Sequence, residues 1–149
     1  MTPPGFRFIL AAGMGLVASV SFADYDSALE AYLRQDYIQA ATQFDRFVTD
    51  HASDSRGVSA IYYASLCRLK LDQPRPAAER LRSILGESQS PAAISPSMVR
   101  LALGAACRMM LDDTQAVKWI ESAWLSAENT FERAAARRML KPLSPRLSP

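Results

Sequence analysis

Residues 32–48 read YLRQDYIQAATQFDRFV, and this stretch decides the fold. A polar turn at 34–36 separates two apolar helical patterns. In the second pattern, small Ala40 is followed by bulky Phe44 and Phe47, at spacings of four and three residues. Those spacings place the three side chains on one stripe of an amphipathic helix. Two such short helices cannot bury their stripes alone, so the sequence predicts a helical hairpin that packs against further hairpins.

The composition fits one globular domain. The chain has 149 residues, of which 49% are hydrophobic and 21% are charged. Its 17 basic and 15 acidic side chains leave a net charge of only +2, which gives no electrostatic reason to expect a nucleic-acid partner. One His and two Cys are a small inventory for metal or redox chemistry. We therefore predict no cofactor, no bound metal and no nucleic-acid partner.

The N-terminal segment has the pattern of a secretory signal peptide. Arg7 precedes an uncharged apolar run at 8–20, and small residues then stand at Ser21 and Ala23. This pattern predicts a signal peptide over 1–23 that is cleaved after Ala23, which implies a secreted or periplasmic protein. The run is shorter than the roughly 20 residues of a spanning helix, so no stable membrane insertion is expected after cleavage. An uncleaved N-terminal anchor is the alternative.

Apolar periodicity in the rest of the chain predicts seven helices and no strand. Asp36 and Ser95 are the predicted N-caps of the second and fifth helices, and Pro96 suits the first position of the fifth. The turn at 112–114 precedes the sixth helix. The predicted bounds are 25–35, 37–50, 58–71, 75–85, 96–111, from that turn to 126, and 130–140. We predict an all-α helical domain over 24–141 and a disordered tail over 142–149.

Three sets of equivalent positions recur along the chain, with spacings of 37 and then 39 residues. Small residues at two positions would let the helices of a hairpin cross closely, and a large residue at the third would fill the space beside them. The pattern therefore predicts a stacked array of helical hairpins. The sets are Ala40, Ala77 and Ala116; twelve positions earlier Ala28, Ser65 and Gly104; and four positions later Phe44, Leu81 and Ile120.

With these residues the chain resembles the tetratricopeptide repeat (TPR) family. The pattern of that family has a small residue at position 8, an aromatic near position 17, Ala at position 20 and a large residue at position 24. The first repeat supplies Ala28, Tyr37, Ala40 and Phe44 at those positions. The sequence pattern of this first repeat is similar to that of periplasmic TPR proteins of bacterial envelopes. Examples are the Tol–Pal-associated TPR protein and outer-membrane assembly lipoproteins.

This resemblance implies a right-handed superhelical solenoid of about three hairpins, followed by a C-terminal capping helix. The second and third repeats depart from the family pattern, since Pro74 and Asp113 stand where an aromatic is expected. In TPR arrays the first helix of each hairpin lines a concave groove. The resemblance therefore implies a partner-binding groove formed by Tyr25, Leu29, Tyr32, Leu33, Tyr62, Leu66, Leu69, Lys70, Met98, Leu101, Arg108 and Met109.

Such an apolar groove, rich in Tyr and Met, would suit an extended peptide or an amphipathic helix. The predicted function is a non-enzymatic interaction module of the bacterial cell envelope that binds a protein or peptide segment. Two alternatives stay open. The same residues could be core, or the same surface could be buried in a homodimer. No nucleophile–base pair, phosphate loop or other catalytic set is apparent in the sequence, so no catalytic residue is predicted.

Several chemically distinctive residues have simpler interpretations. Cys67 and Cys107 occupy near-equivalent places in successive repeats and would point the same way, so we predict buried thiols rather than a disulfide. His51 is predicted to lie on the surface, and 112–113 to cap a helix. The C-terminal end is basic, which predicts a solvated outer face of the capping helix or, alternatively, attraction to anionic lipid or an acidic partner. Its cations are Arg133, Arg137, Arg138, Lys141 and Arg146.

Overall fold

The computed structural model describes residues 20–86 and 94–143 and is helical, with no strand in those residues. Each helix packs mainly against the helices that precede and follow it in the chain. The first, third and fifth helices also contact one another in turn, as expected of hairpins stacked in series. The helices are α1 (Val20–Leu33), α2 (Tyr37–Asp50), α3 (Gly57–Lys70), α4 (Pro74–Gly86), α5 (Pro96–Met109), α6 (Asp113–Ser126) and α7 (Thr130–Leu140).

The sequence predicted most helix ends to within one or two residues of their positions in the structure. The predicted N-caps are confirmed, since Asp36 Oδ1 accepts a hydrogen bond from the Gln39 amide at 3.2 Å and Ser95 Oγ from the Met98 amide at 3.3 Å. The exception is α1, which already includes Val20, whereas its predicted start was near residue 25. The expected cleavage after Ala23 therefore falls inside this helix. Residues 1–19, which hold most of the predicted signal peptide, lie outside the described part.

The three hairpins turn in the same way. Gln35, Asp72 and Leu111 have φ values of 64°, 59° and 60°, which is the left-handed region. At each turn the amide that follows this residue donates to a carbonyl five residues earlier, as in Asp36 to Ala31 at 2.9 Å. This is the Schellman motif that ends helices. Backbone hydrogen bonds hold this turn. The second and third hairpins therefore form the same turn although they have Pro74 and Asp113 where the first hairpin has Tyr37.

The predicted small-residue register is confirmed. The residues at all three sets of positions lie within helices and are buried. Gly104 shows why one set must be small, because a Cβ atom there would lie 2.5 Å from Ile120 Cγ1 and 3.4 Å from the Ala116 carbonyl oxygen. A side chain at this position would push α5 and α6 apart. Close crossing of the two helices therefore depends on the missing side chain.

The core runs along the array as three successive clusters. The first is aromatic: Phe44 is fully buried, stacks on Tyr63 of α3 and meets Tyr25 of α1 edge to face, both with ring centroids 5.6 Å apart. One side chain of α2 thus joins its own hairpin to the next one. The fold is therefore an all-α array of stacked helical hairpins, as predicted. The right-handed sense of the superhelix stays a prediction.

A buried carboxylate attaches helix α7 to the preceding hairpin. Glu132 accepts hydrogen bonds from the hydroxyl groups of Ser95, at 2.6 Å, and Ser97, and from the Glu128 amide at 3.1 Å. These bonds tie the start of α7 to the start of α5. Leu143, which we predicted to lie in a disordered tail, is buried in the third cluster. Residues 144–149 of that tail lie outside the described part.

This carboxylate predicts a pH dependence of stability. Burial by itself would raise the pKa of Glu132, but the hydrogen bonds from Ser95, Ser97 and the Glu128 amide outweigh it and hold the pKa below its usual value. A depressed folded pKa stabilises the fold above the unfolded pKa, and this contribution is lost as pH falls through the folded value. We expect Glu132→Gln to cost about 1–3 kcal/mol at pH 7, as for a buried group that loses its partners.

Urea denaturation of both proteins between pH 7 and pH 3 measures this effect. The difference in unfolding free energy between wild type and Glu132→Gln should begin to narrow as the pH falls below the ordinary Glu pKa of about 4.3. It should be lost once the pH has passed the lower pKa of the folded carboxyl, because the wild-type side chain is then protonated as well. Other acidic groups titrate in both proteins and cancel in the comparison. A gap that stays constant over this range would show that the charge of Glu132 plays no part.

Candidate functional site

The predicted groove residues divide into three groups by exposure. Leu33, Lys70 and Met109 are exposed, with 71% of Leu33 and 39% of Met109 accessible to solvent. They occupy the same position in successive first helices, the last residue of α1, α3 and α5. Because α3 contacts both α1 and α5, these side chains lie along one side of the array. We call this set the first-helix surface.

Two predicted groove residues are part of the core instead. Tyr62 is 5% exposed and belongs to the second cluster, and Leu101 is 6% exposed and belongs to the third. Burial raises the pKa of the Tyr62 hydroxyl to about 12. Both stand at the same position of the repeat, where the side chain points toward neighbouring helices. The prediction that they line an open groove is therefore wrong, and the alternative that they are core is correct for them.

The remaining predicted residues are half-buried. Tyr32 shows their character, because its ring meets Tyr37 at 5.9 Å and Tyr63 at 5.3 Å between centroids, both edge to face. Tyr25 is similarly held against Phe47 at 5.3 Å. Such residues offer only part of their area to a partner. The half-buried members are Tyr25, Leu29, Tyr32, Leu66, Leu69, Met98 and Arg108.

A charged network between hairpins was not predicted from the sequence. Asp45 of α2 accepts hydrogen bonds from the guanidinium groups of Arg68 in α3 and Arg80 in α4. All three side chains are at least two-thirds buried. Desolvation lowers the pKa of both arginines, which remain cationic. The residues are 23 and 35 positions from Asp45, so no local spacing could have indicated the contact.

The loop between α2 and α3 packs against the ends of α1 and α2. His51 is half-buried rather than on the surface: its ring lies 5.0 Å from that of Phe47, and its Nε2 is 3.8 Å from Asp24 Oδ2. Arg56 lies over the Phe47 ring at 5.1 Å and pairs with Asp54 at 2.8 Å. That hydrogen-bonded pair holds the pKa of Asp54 at about 2. The loop is thus held in place by ion-pair and ring contacts.

No metal site was found in the part of the chain that the structure describes. It contains no group of three or more His, Cys, Asp or Glu side chains able to hold an ion. The pair at 112–113 acts as expected for a helix cap, since Asp112 Oδ1 accepts from the Gln115 amide at 3.0 Å. Within residues 20–86 and 94–143, no helix combines the length and the apolar composition that crossing a bilayer requires.

Both cysteines are free and buried, as predicted. Burial raises the pKa of the Cys67 thiol to about 11 and also raises that of Cys107. Since the thiolate is the reactive form, neither thiol should react with Ellman's reagent at pH 8 in the folded protein. Two thiols per chain should react in concentrated guanidinium chloride. Rapid reaction of either thiol without denaturant would contradict this burial.

Comparison with known proteins assigns neither a family nor a function to the chain. No protein-family profile matches the chain, and no curated protein is significantly similar to it.

Proposed function

We propose that this chain is a non-enzymatic, TPR-like interaction scaffold of the bacterial cell envelope, and that its first-helix surface binds a protein or peptide segment. The observation that carries the proposal is the repeated exposure of Leu33, Lys70 and Met109 at one position of three stacked helices. Equivalent side chains on successive hairpins form a surface that one extended or helical segment can contact at several points. Exposed Leu and Met provide apolar contact area, and Lys70 provides a cation.

The envelope location rests on the pattern at residues 1–23. An uncharged apolar run followed by small residues is what signal peptidase recognises. Mass spectrometry of the protein purified from a periplasmic fraction of a Gram-negative host tests this part separately. A mature N-terminus at Asp24 supports it. A full-length chain retained with the cells contradicts it, without bearing on the first-helix surface.

The binding surface is tested by crosslinking and pull-down from envelope extracts with a double variant, Leu33→Glu with Met109→Glu. Both side chains are exposed, so helical circular dichroism should be unchanged while capture of the partner is lost. A matched control replaces Thr42 and Thr49, on the exposed face of α2, by Glu. Tyr62 is unsuitable as a probe because its replacement would damage the core.

Sedimentation at micromolar concentration separates this proposal from self-association. Two results together support the scaffold: the protein is a monomer, and the double variant no longer captures the partner while the control variant still does. A persistent homodimer that the double variant dissociates would replace it with a self-associating structural protein. Equal capture by the wild type and the double variant would overturn the first-helix surface as the binding site.

A further inference from the structure

The C-terminal helices form an open cleft that is separate from the first-helix surface. It lies between the end of α6 and the end of α7 and has a volume of about 500 Å³. A second hollow of about 670 Å³ continues along α7 and shares Arg137 and Leu140 with the first. The cleft is lined by Glu121, Trp124, Leu125, Arg137 and Leu140, and the hollow by Ala134, Arg137, Arg138, Leu140 and Lys141. We call the two together the α6–α7 cleft.

Repeat equivalence shows that Trp124 in this cleft is less covered than its counterparts in the other second helices. Trp124 of α6 occupies the position that Val48 has in α2 and Leu85 in α4. Val48 and Leu85 are partly buried against the first and second core clusters. Trp124, by contrast, is 48% exposed, beside Leu125 at 77%. An exposed Trp next to an exposed Leu is an apolar surface of the kind that marks interaction sites.

The charge around the cleft is strongly one-sided. Within residues 20–86 and 94–143, Arg137 and Arg138 form no ion pair, and both are exposed. The acidic residue of α7, Glu132, is buried and bonded to Ser97, so it does not lie beside them. Glu121 is the one carboxylate in the lining. The cleft therefore combines an apolar floor with a cationic rim.

We propose that the α6–α7 cleft docks an acidic amphipathic helix of a partner protein. The apolar face of that helix covers Trp124, Leu125 and Leu140. Its carboxylates pair with Arg137 and Arg138 at the rim. This goes beyond the proposed function, because it assigns a second surface, on different helices, with its own ligand chemistry.

Charge and shape favour an acidic helix as the occupant over a second copy of the chain or an anionic bilayer. Two copies that met cleft to cleft around a twofold axis would bring the cationic rims together, and like charges oppose such pairing. An anionic bilayer would satisfy the arginines, but a bilayer is broad and this surface is concave and contains the carboxylate of Glu121. An acidic helix has a narrow apolar face and can direct its carboxylates only toward the rim.

The test uses a fluorescein-labelled synthetic helical peptide with leucines on one face and glutamates beside them. Its binding to the full chain is followed by fluorescence anisotropy. One control peptide has Lys in place of Glu, and a second has Ser in place of Leu. We expect the acidic peptide to bind at least tenfold more tightly than either control, with an affinity that falls as salt is added.

Protein variants locate the contact. Arg137→Glu combined with Arg138→Glu should weaken binding of the acidic peptide by at least tenfold, and Leu125→Ser by severalfold. These side chains are exposed, so circular dichroism should not change. A matched control, Arg75→Glu with Arg82→Glu on the exposed side of α4, should change the affinity by less than twofold. The Leu33→Glu, Met109→Glu protein should bind like the wild type, which separates this proposal from the preceding one.

Several outcomes would overturn the proposal. These are equal binding of the acidic and basic peptides, or an affinity that the arginine reversals leave unchanged. Binding of phosphatidylglycerol vesicles with no binding of the acidic peptide would assign the cleft to a membrane surface. A dimer that Leu125→Ser dissociates would assign it to a second copy of the chain.

Discussion

Replacing Phe44 by alanine is expected to lower the free energy of unfolding by about 3–5 kcal/mol, the cost of removing a buried aromatic ring from a packed core. The ring is fully buried and contacts Tyr25 on one side and Tyr63 on the other. Its loss leaves a cavity at the junction of two hairpins, and the edge-to-face and stacked ring contacts are lost with it. Urea denaturation followed by circular dichroism measures the effect.

The control is Ile38→Ala on the same helix. Ile38 is 69% exposed, so the change should stay within about 0.5 kcal/mol, as is usual for surface substitutions. A loss below about 1 kcal/mol for Phe44→Ala would mean that neighbouring side chains collapse into the cavity or that the first two hairpins do not share a core. A stacked array predicts that damage at this point destabilises both hairpins.

Replacing Asp45 by alanine should be the second most damaging change, with an expected loss of about 2–3 kcal/mol. Removal of one partner of a buried ion pair costs about 3–5 kcal/mol, because the remaining charge is left desolvated. The Asp45 side chain is 32% exposed, so solvent screening reduces that figure. Here two guanidinium groups, those of Arg68 and Arg80, lose the same acceptor and are left facing each other.

Asp50→Ala is the matched control for Asp45, since it removes an aspartate from the same helix. Asp50 pairs with Arg46 at 3.1 Å on the surface, and exposed pairs contribute about 0–1 kcal/mol. Adding Arg80→Ala to Asp45→Ala should recover part of the stability, because one uncompensated charge is removed. If Asp45→Ala and Asp50→Ala cost the same, the network between the hairpins contributes no more than an ordinary surface pair.

Local sequence information was sufficient for the helices and their register. Periodic apolar residues and the caps at Asp36 and Ser95 act within a few residues, so they can be read without knowledge of the fold. The small residues in register also predicted a close crossing, and Gly104 against Ile120 bears this out. Even the Schellman turns depend on local backbone bonds, although Leu111 in a left-handed conformation has no marker in the sequence.

The sequence predicted the candidate sites less well than it predicted the helices. Tyr62 and Lys70 both stood at predicted groove positions, yet one is core and the other is exposed. Helical periodicity places a residue on a face, but burial also depends on which neighbouring helix covers that face. Trp119 and Trp124 make the same point on one helix: Trp119 packs against two core clusters, while Trp124 is 48% exposed.

By itself, the sequence determined that residues 20–86 and 94–143 form helices paired in hairpins with small residues at the crossings, because these features follow from periodicity and chemistry within a few turns. Only the tertiary structure decided which side chains remain available to a partner. It also brought Asp45 to Arg68 and Arg80, and Glu132 to Ser97. Those contacts join residues 23 to 35 positions apart, and their formation depends on how each hairpin packs on the next.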